Sequence, residues 1–235
     1  MEDDAKTRIL AAALPHVPFE GWSEATLREA IADSGVAPGL ARALYPRGGV
    51  DLALAYHRQG DAAMVTALAA SDLSALKFRE KVALAIKLRL QAVDRELVRR
   101  GAVLFALPQH AADGAAAVWH TADAVWTALG DTSQDINWYS KRATLSAVHA
   151  ATVLFWLGDD SPEHEASWAF LDRRIEGVMA FEKAKAAFAG NPIGKALLAG
   201  PFKMLERIRA PKRQDDLPGR DAAPGGASEA PPRAF

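Results

Sequence analysis

Apolar residues recur every three or four positions along almost the whole chain, and this spacing restricts the fold more than any other feature. Alanine and leucine occupy most of these positions, and clusters of β-branched residues are scarce, so helix is favoured throughout. The stretches that each predict a helix are 6–14, 23–33, 50–70, 76–99, 110–129, 134–157 and 162–188, with a very short helix after Pro38. The chain is therefore predicted to fold as an all-α protein.

Turn-forming residues mark the ends of the predicted helices. Ser23 is expected to cap the second helix and Gly35 to end it, and the prolines and glycine of "PHVPFEGW" at 15–22 separate it from the first helix. The stretch 158–162, "GDDSP", combines a glycine after one helix, an Asp or Ser cap and a proline in the first turn of the next. A new helix should therefore begin at Pro162.

The order of the helices predicts four parts. They are a helix-turn-helix-like unit at 1–49, a larger helical body at 50–187, a basic amphipathic helix at 188–209 and a disordered tail at 210–235. The tail contains five prolines, three glycines and almost no large apolar side chains. Such a composition buries too little surface to offset the entropy of folding.

The three short helices of residues 1–49 resemble the DNA-reading unit of TetR-type repressors, whose third helix enters the major groove. That helix needs donors for base edges and cations for phosphates. Here it reads "APGLARALYP" and offers Arg42 alone, and residues 1–60 contain six Lys and Arg against eight Asp and Glu. We therefore expect a helix-turn-helix shape that binds no nucleic acid. The alternative is a TetR-like transcriptional regulator that senses a hydrophobic ligand.

Composition excludes several other classes of protein. There is no cysteine among the 235 residues, which rules out disulfides, thiolate catalysis and Cys-ligated zinc. A net charge of −1 argues against bulk nucleic-acid binding, and no apolar run approaches the roughly 20 residues of a membrane span. The first residues, "MEDDAKTR", are acidic and lack the features of a signal or transit peptide, so a cytoplasmic protein is expected.

The common catalytic motifs are missing from the sequence. None of the six histidines follows a glutamate by three positions, no two histidines are four apart, and phosphate-binding, dinucleotide-binding and nucleophile-elbow motifs are absent. Ser74 and Lys77 match S-x-x-K, but its companion motifs are missing. His149 is interpreted as a histidine of the core or its rim with satisfied hydrogen bonds. We expect no catalytic residues, metal or cofactor, and an uncatalogued helical enzyme with dispersed acid–base groups is the remaining alternative.

The segment "DINWYSKRATL" at 135–145 places two large rings among polar residues at the start of a predicted helix. At about 100° per residue, Asp135, Trp138, Tyr139 and Arg142 share one face. A second face is small or apolar and suits close packing against another helix; it carries Ile136, Ala143, Ala147, Ala150 and Leu154. The first face has the composition of an interaction hot spot. The alternative is that the rings pack under a neighbouring element, and the helical periodicity alone does not decide between the two.

Residues 181–209 form a cationic amphipathic stretch, with six Lys and Arg against two Glu. The residues predicted to contact a membrane, by apolar insertion or by headgroup contact, are Phe188, Ile193, Lys195, Leu197, Leu198, Phe202, Lys203, Leu205, Arg207 and Ile208. Such a helix lies in a lipid interface with its cations on anionic headgroups. The alternatives are a terminal helix docked on the body and a dimer contact.

The run "GDTSQDINWYSKRATLSAVHAATVLFWLGDDSPEHEASWAFLDRRIEGVM", from Gly130 to Met179, resembles the signature region of the Coq-nine family, lipid-binding accessory proteins of ubiquinone biosynthesis. The stretches "ALPHVPFEGWSEATLREA" and "LYPRGGVDLA" match the family as well, so the resemblance covers about residues 6–209. It implies a TetR-like fold that has lost DNA binding, a homodimer, and an apolar cavity for isoprenoid lipids with walls near 76–130 and 134–180.

The resemblance also implies partners. Members present ubiquinone intermediates to the demethoxyubiquinone hydroxylase, through a "DxxWYxxR" patch that corresponds here to Asp135, Trp138, Tyr139 and Arg142. Their terminal membrane helix corresponds to about 188–209. Together these features predict a non-catalytic protein, peripheral on the inner membrane of a bacterium.

Overall fold

The computed structural model describes residues 2–190 and 209–211, and within them it contains ten α-helices, one 3-10 helix and no strand. The helices are α1 Glu2–Ala13, α2 Val17–Glu20, α3 Glu24–Ser34, α4 Pro38–Leu44, α5 Gly49–Ala69, α6 Phe78–Gln91, α7 Arg95–Phe105, α8 Ala111–Ala128, α9 Ile136–Leu157, the 3-10 helix Pro162–His164, and α10 Glu165–Gly190. The all-α prediction is confirmed.

The N-terminal unit is built on α1, α3 and α4, with Ile9 and Leu27 fully buried between them. The predicted ends of α3 are confirmed. Ser23 Oγ accepts a hydrogen bond from the backbone N–H of Thr26 at 3.2 Å, and Gly35 ends the helix in the left-handed region at φ 64°. The predicted break at 15–22 holds one short helix, α2, that was not predicted from the sequence.

The predicted helix 76–99 is wrong, because the chain breaks between α6 and α7. Asp94 turns its side chain to the backbone N–H groups of Glu96 and Leu97, at 2.8 and 3.0 Å, and so caps a new helix. The backbone N–H of Asp94 donates to the hydroxyl of Tyr56 at 2.8 Å instead of to a helical carbonyl. A side chain that competes for backbone bonds in this way favours a helix start over a helix interior.

Two further helix starts differ from prediction. Asp135 is the N-cap of α9, with its carboxylate accepting from the Asn137 N–H at 3.0 Å, so the helix begins at Ile136. The helix expected from Pro162 begins instead as a 3-10 turn, with Glu163 at φ 48° and His164 at φ 58°, and α10 starts at Glu165.

The helical body packs α5, α6, α8, α9 and α10 around a second core. Met64, Ile86, Val125 and Leu171 are fully buried there. Burying each such side chain stabilises the fold by about 1.5–3 kcal/mol. Trp22 ties the N-terminal unit to α7, because its indole N–H donates to the carbonyl of Leu97 at 3.0 Å.

The small face of α9 does not pack as predicted. Ala143 and Ala147 are exposed, and Leu154 is 68% exposed. α9 instead turns larger side chains, including Leu145 and Trp156, into the body. These bury more apolar area than alanines do, so they decide which way the helix faces.

Candidate functional site

A cavity of about 640 Å³ lies among α5, α6, α7, α8 and α9. This volume is within the range of pockets that take a small-molecule ligand. Most of its wall is apolar, as shown by Leu90, Val98, Phe105, Val118 and Val153. A cavity of this composition favours an apolar ligand over water.

The walls of the cavity differ in part from those expected at 76–130 and 134–180. α6, α7, α8 and α9 contribute, in agreement with the prediction. α5 contributes as well, through Ala53, Tyr56 and His57, and none of the α10 side chains that the structure describes lines the cavity. The order of helices around a cavity depends on tertiary packing, which periodicity along the chain does not encode.

One side of the cavity carries a buried polar cluster. Arg89 lies 2.6 Å from the carboxylate of Asp61, which also accepts from the hydroxyl of Thr121 at 2.8 Å. Because the Thr121 proton is used in this way, His57 Nε2 donates to Thr121 Oγ1 and to the Ala117 carbonyl, at 2.8 and 3.0 Å. Burial and the nearby Arg89 lower the pKa of His57 to about 4, so its ring is neutral at neutral pH.

Gly60 makes room for this cluster because it has no side chain. A Cβ atom at residue 60 would lie 2.5 Å from Nη1 of Arg89, so only glycine fits there. The guanidinium of Arg89 also donates to the carbonyl of His57 at 3.0 Å. The charge of Arg89 is thus held and neutralised inside the body.

The interpretation of His149 as a satisfied core histidine is wrong in one respect. The residue is only 2% exposed, but its Nδ1 atom has no hydrogen-bond partner among the described residues. The same is true of the Oγ atom of Ser146, one helical turn earlier, and both residues line the cavity. Burial, reinforced by Arg89 and His57, lowers the pKa of His149 to about 3, so this ring is neutral as well.

Three rings form a cluster at the start of α9, here called the aromatic patch: Trp119, Trp138 and Tyr139. Trp138 meets Tyr139 edge-on at 4.8 Å between ring centroids, and Trp119 lies 5.9 and 6.4 Å from the two. All three are half-buried. Trp119, which no sequence pattern singled out, lines the cavity and so joins it to the patch. Its position in α8, apart from the "DINWYSKRATL" segment, gave no signal of this contact.

Arg142 lies beneath the aromatic patch, not on the surface. It is fully buried, and its guanidinium carbon lies 4.0 Å from the ring centre of Trp138. Its Nε donates to Asp123 at 2.5 Å and its Nη1 to Asp131 at 3.0 Å. The expectation that all four "DxxWYxxR" residues share one exposed face is therefore corrected for Arg142, which supports Trp138 from below.

The carboxylate of Asp131 forms ion pairs with both Arg142 and Lys141. Partial burial acts to raise its pKa, but hydrogen bonds from Lys141, Ser133 and Arg142 outweigh that effect and lower the pKa to about 2. The Lys141 ammonium lies 2.8 Å from its carboxylate. Asp135, the first residue of the predicted patch, is exposed and caps α9.

The chain returns to the aromatic patch at residues 209–210. The hydroxyl of Tyr139 donates to the carbonyl of Arg209 at 3.3 Å, and the N–H of Ala210 donates to the carbonyl of Gln134 at 3.0 Å. The end of the predicted membrane helix therefore lies beside the patch.

The predicted membrane contacts fall almost entirely outside the described residues. Those outside are Ile193, Lys195, Leu197, Leu198, Phe202, Lys203, Leu205, Arg207 and Ile208. Phe188 lies within α10, but its side chain is not described. Among the helices of the described part, none is long and apolar enough to cross a membrane.

The candidate DNA-reading helix α4 has seven residues. Its one cation, Arg42, forms an ion pair with Glu24 of α3 at 2.6 Å. A guanidinium held by a carboxylate is a poor ligand for a phosphate, because the pair must first be broken.

Fold and cavity together define an all-helical protein of TetR-like fold with an apolar cavity in its body. The TetR transcriptional regulator from Nitrosomonas europaea ATCC 19718 superposes with a TM-score of 0.60 at 21% identity, covering 74% of this chain and 97% of that chain. This likeness confirms the TetR-like fold.

The family follows from the sequence comparisons. Residues 111–182 match the COQ9 family model, and residues 2–33 match the model described as ubiquinone biosynthesis protein COQ9, N-terminal domain. The chain belongs to the COQ9 family of ubiquinone biosynthesis proteins.

Several curated relatives support this assignment. The mitochondrial ubiquinone biosynthesis proteins COQ9 of Rattus norvegicus and Homo sapiens are 31% and 30% identical over 85% of this chain. The probable coq9 protein of Dictyostelium discoideum is 29% identical over 77%. The chain spans 66%, 64% and 62% of the lengths of these three relatives.

Proposed function

We propose that this protein is a non-catalytic lipid-binding accessory protein of ubiquinone biosynthesis. It takes isoprenoid quinone intermediates out of the bilayer and presents them to the demethoxyubiquinone hydroxylase. The observation that carries the proposal is the apolar cavity of about 640 Å³ in the helical body. An isoprenoid tail gains about 0.8 kcal/mol per CH₂ group that stays out of water. A protein that extracts such a lipid must therefore offer apolar surface comparable to that of the bilayer.

The aromatic patch is the proposed binding surface for the hydroxylase. Trp and Tyr rings that are part-exposed and rigidly held are typical of interface hot spots. Asp135, Trp138 and Tyr139 would contact the partner, and Arg142 would hold Trp138 in place. Because Trp119 belongs to the patch and also lines the cavity, an enzyme bound at the patch would lie next to the lipid in the cavity.

Membrane contact is assigned to residues 188–209, whose cations and apolar residues suit an anionic lipid surface. This segment begins with the last residues of α10 and ends at Arg209, which contacts Tyr139. That placement would bring the lipid surface, the patch and the cavity together. We propose a peripheral position on the cytoplasmic side of a bacterial inner membrane.

A homodimer is proposed on the exposed face of α9. Ala143 and Ala147 are small enough for close helix packing, and Leu154 is largely exposed beside them. Leu154 and Ala143 also line the cavity, so a second copy on this face would cover part of its opening.

The second candidate function is a TetR-like transcriptional regulator that senses a hydrophobic ligand. The fold favours it, and the pairing of Arg42 with Glu24 disfavours it. We propose that the chain binds no nucleic acid. Tight binding of duplex DNA that survives 0.15 M salt would reverse that choice.

Lipid identification on the purified protein tests the main proposal. Native mass spectrometry should find isoprenoid lipid or quinone on the protein, or on protein incubated with ubiquinone-2. Ala150 lines the cavity, so Ala150→Phe should fill part of it and lower occupancy about tenfold. The matched control, Ala63→Phe, is exposed on α5 outside both the cavity lining and the proposed dimer face and should leave occupancy unchanged. Empty protein in every preparation would contradict lipid binding.

A further inference from the structure

Two polar atoms in the wall of the apolar cavity lack partners among the described residues. They are Nδ1 of His149 and Oγ of Ser146. Both residues line the cavity, and their spacing of three places them on the same side of α9. Buried polar atoms nearly always have a hydrogen-bond partner in folded proteins, so two adjacent exceptions in one cavity point to a missing ligand.

The charges around these atoms restrict what the ligand can be. Among the described residues that line the cavity, Arg89 is the only cation, and it is neutralised by Asp61 at 2.6 Å. His57 and His149 are both neutral, since burial lowers their pKa values well below neutral pH. An anionic or cationic head group would therefore meet no free opposite charge, and burying it would be unfavourable. A neutral head with hydrogen-bonding oxygens meets no such penalty.

The hydrogen-bonding capacity of the two side chains adds a second restriction. A neutral imidazole offers one N–H donor and one acceptor nitrogen, and a serine hydroxyl both donates and accepts. The pair can therefore donate to carbonyl or methoxy oxygens, and it can also accept from a ring hydroxyl. The oxidised and reduced forms of an oxygenated ring would both be satisfied.

We propose that Ser146 and His149 form a head-group subsite that binds the oxygen atoms of a neutral, ring-headed isoprenoid lipid, with the apolar chain in the rest of the cavity. This inference rests on the proposed lipid-binding function and deepens it. It predicts that the ring end of the lipid lies deep against α9. The cavity therefore selects among lipids by head group as well as by chain.

A matched pair of probes tests the subsite. Ubiquinone-2 and geranylbenzene carry the same ten-carbon chain, but only the first has ring oxygens. Each would be titrated against the full-length protein loaded with the apolar dye N-phenyl-1-naphthylamine, and displacement would give the two affinities. The quantity of interest is their ratio, because a general change in cavity shape alters both affinities together.

The wild type should prefer ubiquinone-2 by at least tenfold. His149→Phe and Ser146→Ala should each reduce this preference about tenfold at little cost to geranylbenzene binding, since each loses one hydrogen bond. His149→Asn, which keeps a donor and an acceptor, should retain most of it. Ala150→Phe should weaken both probes and leave the ratio unchanged.

The outcomes separate this inference from the function on which it rests. If both probes bind and the ratio is the same in wild type, His149→Phe and Ser146→Ala, the subsite is refuted and lipid binding stands. If neither probe displaces the dye from the wild type, both proposals fail. Should His149→Phe fold poorly by circular dichroism, Ser146→Ala decides, because serine to alanine in a helix is a small change.

Discussion

Arg142 supports a residue of the aromatic patch, Trp138, although its own side chain is fully buried. Its guanidinium is buried between Asp123 and Asp131 and stacks under the ring of Trp138. The planar fork of arginine makes both contacts at once, which the point charge of lysine cannot reproduce. The orientation of Trp138 thus depends on an ion-pair network centred on a buried guanidinium.

Removing Arg142 should destabilise the fold. Arg142→Ala breaks the ion pairs to Asp123 and Asp131 and leaves Lys141 as the remaining cation beside Asp131, and we expect the free energy of unfolding to fall by about 3 kcal/mol. Urea denaturation at pH 7 measures this. The control is Arg28→Ala, which removes an exposed guanidinium and should change stability by less than about 0.5 kcal/mol. Equal effects of the two substitutions would show that the network does not stabilise the fold.

Removing Trp138 should act mainly on partner binding. Trp138→Ala deletes the centre of the aromatic patch, and we expect the affinity for the demethoxyubiquinone hydroxylase to fall at least thirtyfold, as for interface hot spots. Surface plasmon resonance with the purified enzyme measures this. Phe19→Ala serves as the matched control, because Phe19 is an exposed ring in α2, outside the patch. A folded Trp138→Ala variant that binds as tightly as the wild type would place the interface elsewhere.

At the scale of elements, α9 combines several surfaces in a single helix. Leu145 and Trp156 enter the core, His149 lines the cavity, Trp138 belongs to the aromatic patch, and Ala147 is exposed. A helix of 22 residues has room for this division, since its side chains project around the full circle. Because one rigid element carries all these surfaces, their relative positions are fixed.

The terminal amphipathic segment should account for membrane binding as one element. A chain that ends at residue 187 should lose binding to vesicles containing phosphatidylglycerol, because it lacks the apolar and cationic residues of 188–209. Sedimentation with vesicles measures this. A chain that ends at residue 211 is the matched control and should bind like the full-length protein. If the 187-residue chain is folded and still binds, the membrane contact lies in another element.

At the scale of the whole molecule, the TetR-like arrangement buries two histidine side chains. Their burial lowers their pKa values and keeps them neutral in the folded protein. His57 from α5 and His149 from α9 face Arg89 from α6 within the same interior. Unfolding returns both imidazoles to water, where their pKa is about 6.5. The unfolded chain therefore binds more protons than the folded one as pH falls below that value.

Folding stability should consequently decrease in mild acid. The contribution of each histidine is complete above about pH 6.5 and is lost as pH falls toward the folded pKa values of about 4 and about 3. Between pH 7 and pH 5 we expect a loss of about 1–2 kcal/mol for each histidine. Urea unfolding at the two pH values measures this, and His149→Leu should remove roughly half of the loss. An identical pH dependence in variant and wild type would exclude His149 as a cause.

Much of the fold could be predicted from the sequence because its signals are local. Apolar periodicity marks the helices, and short-range chemistry marks several ends, as at Ser23 and Gly35. The break at Asp94 was not predictable in this way, because its backbone N–H donates a hydrogen bond to the hydroxyl of Tyr56, 38 residues earlier. Long-range hydrogen bonds leave no mark on the spacing of apolar residues.

The sequence by itself determined the helical class, the family and the proximity of Asp135, Trp138, Tyr139 and Arg142 at the start of one helix, within about two turns. Only the tertiary structure decided that Arg142 is buried, because its partner Asp123 comes from α8. It also decided that Trp119 and His149 face one cavity, since five helices must assemble to enclose it. Residue spacing along a helix sets which side chains share a face, and only packing between helices sets what that face meets.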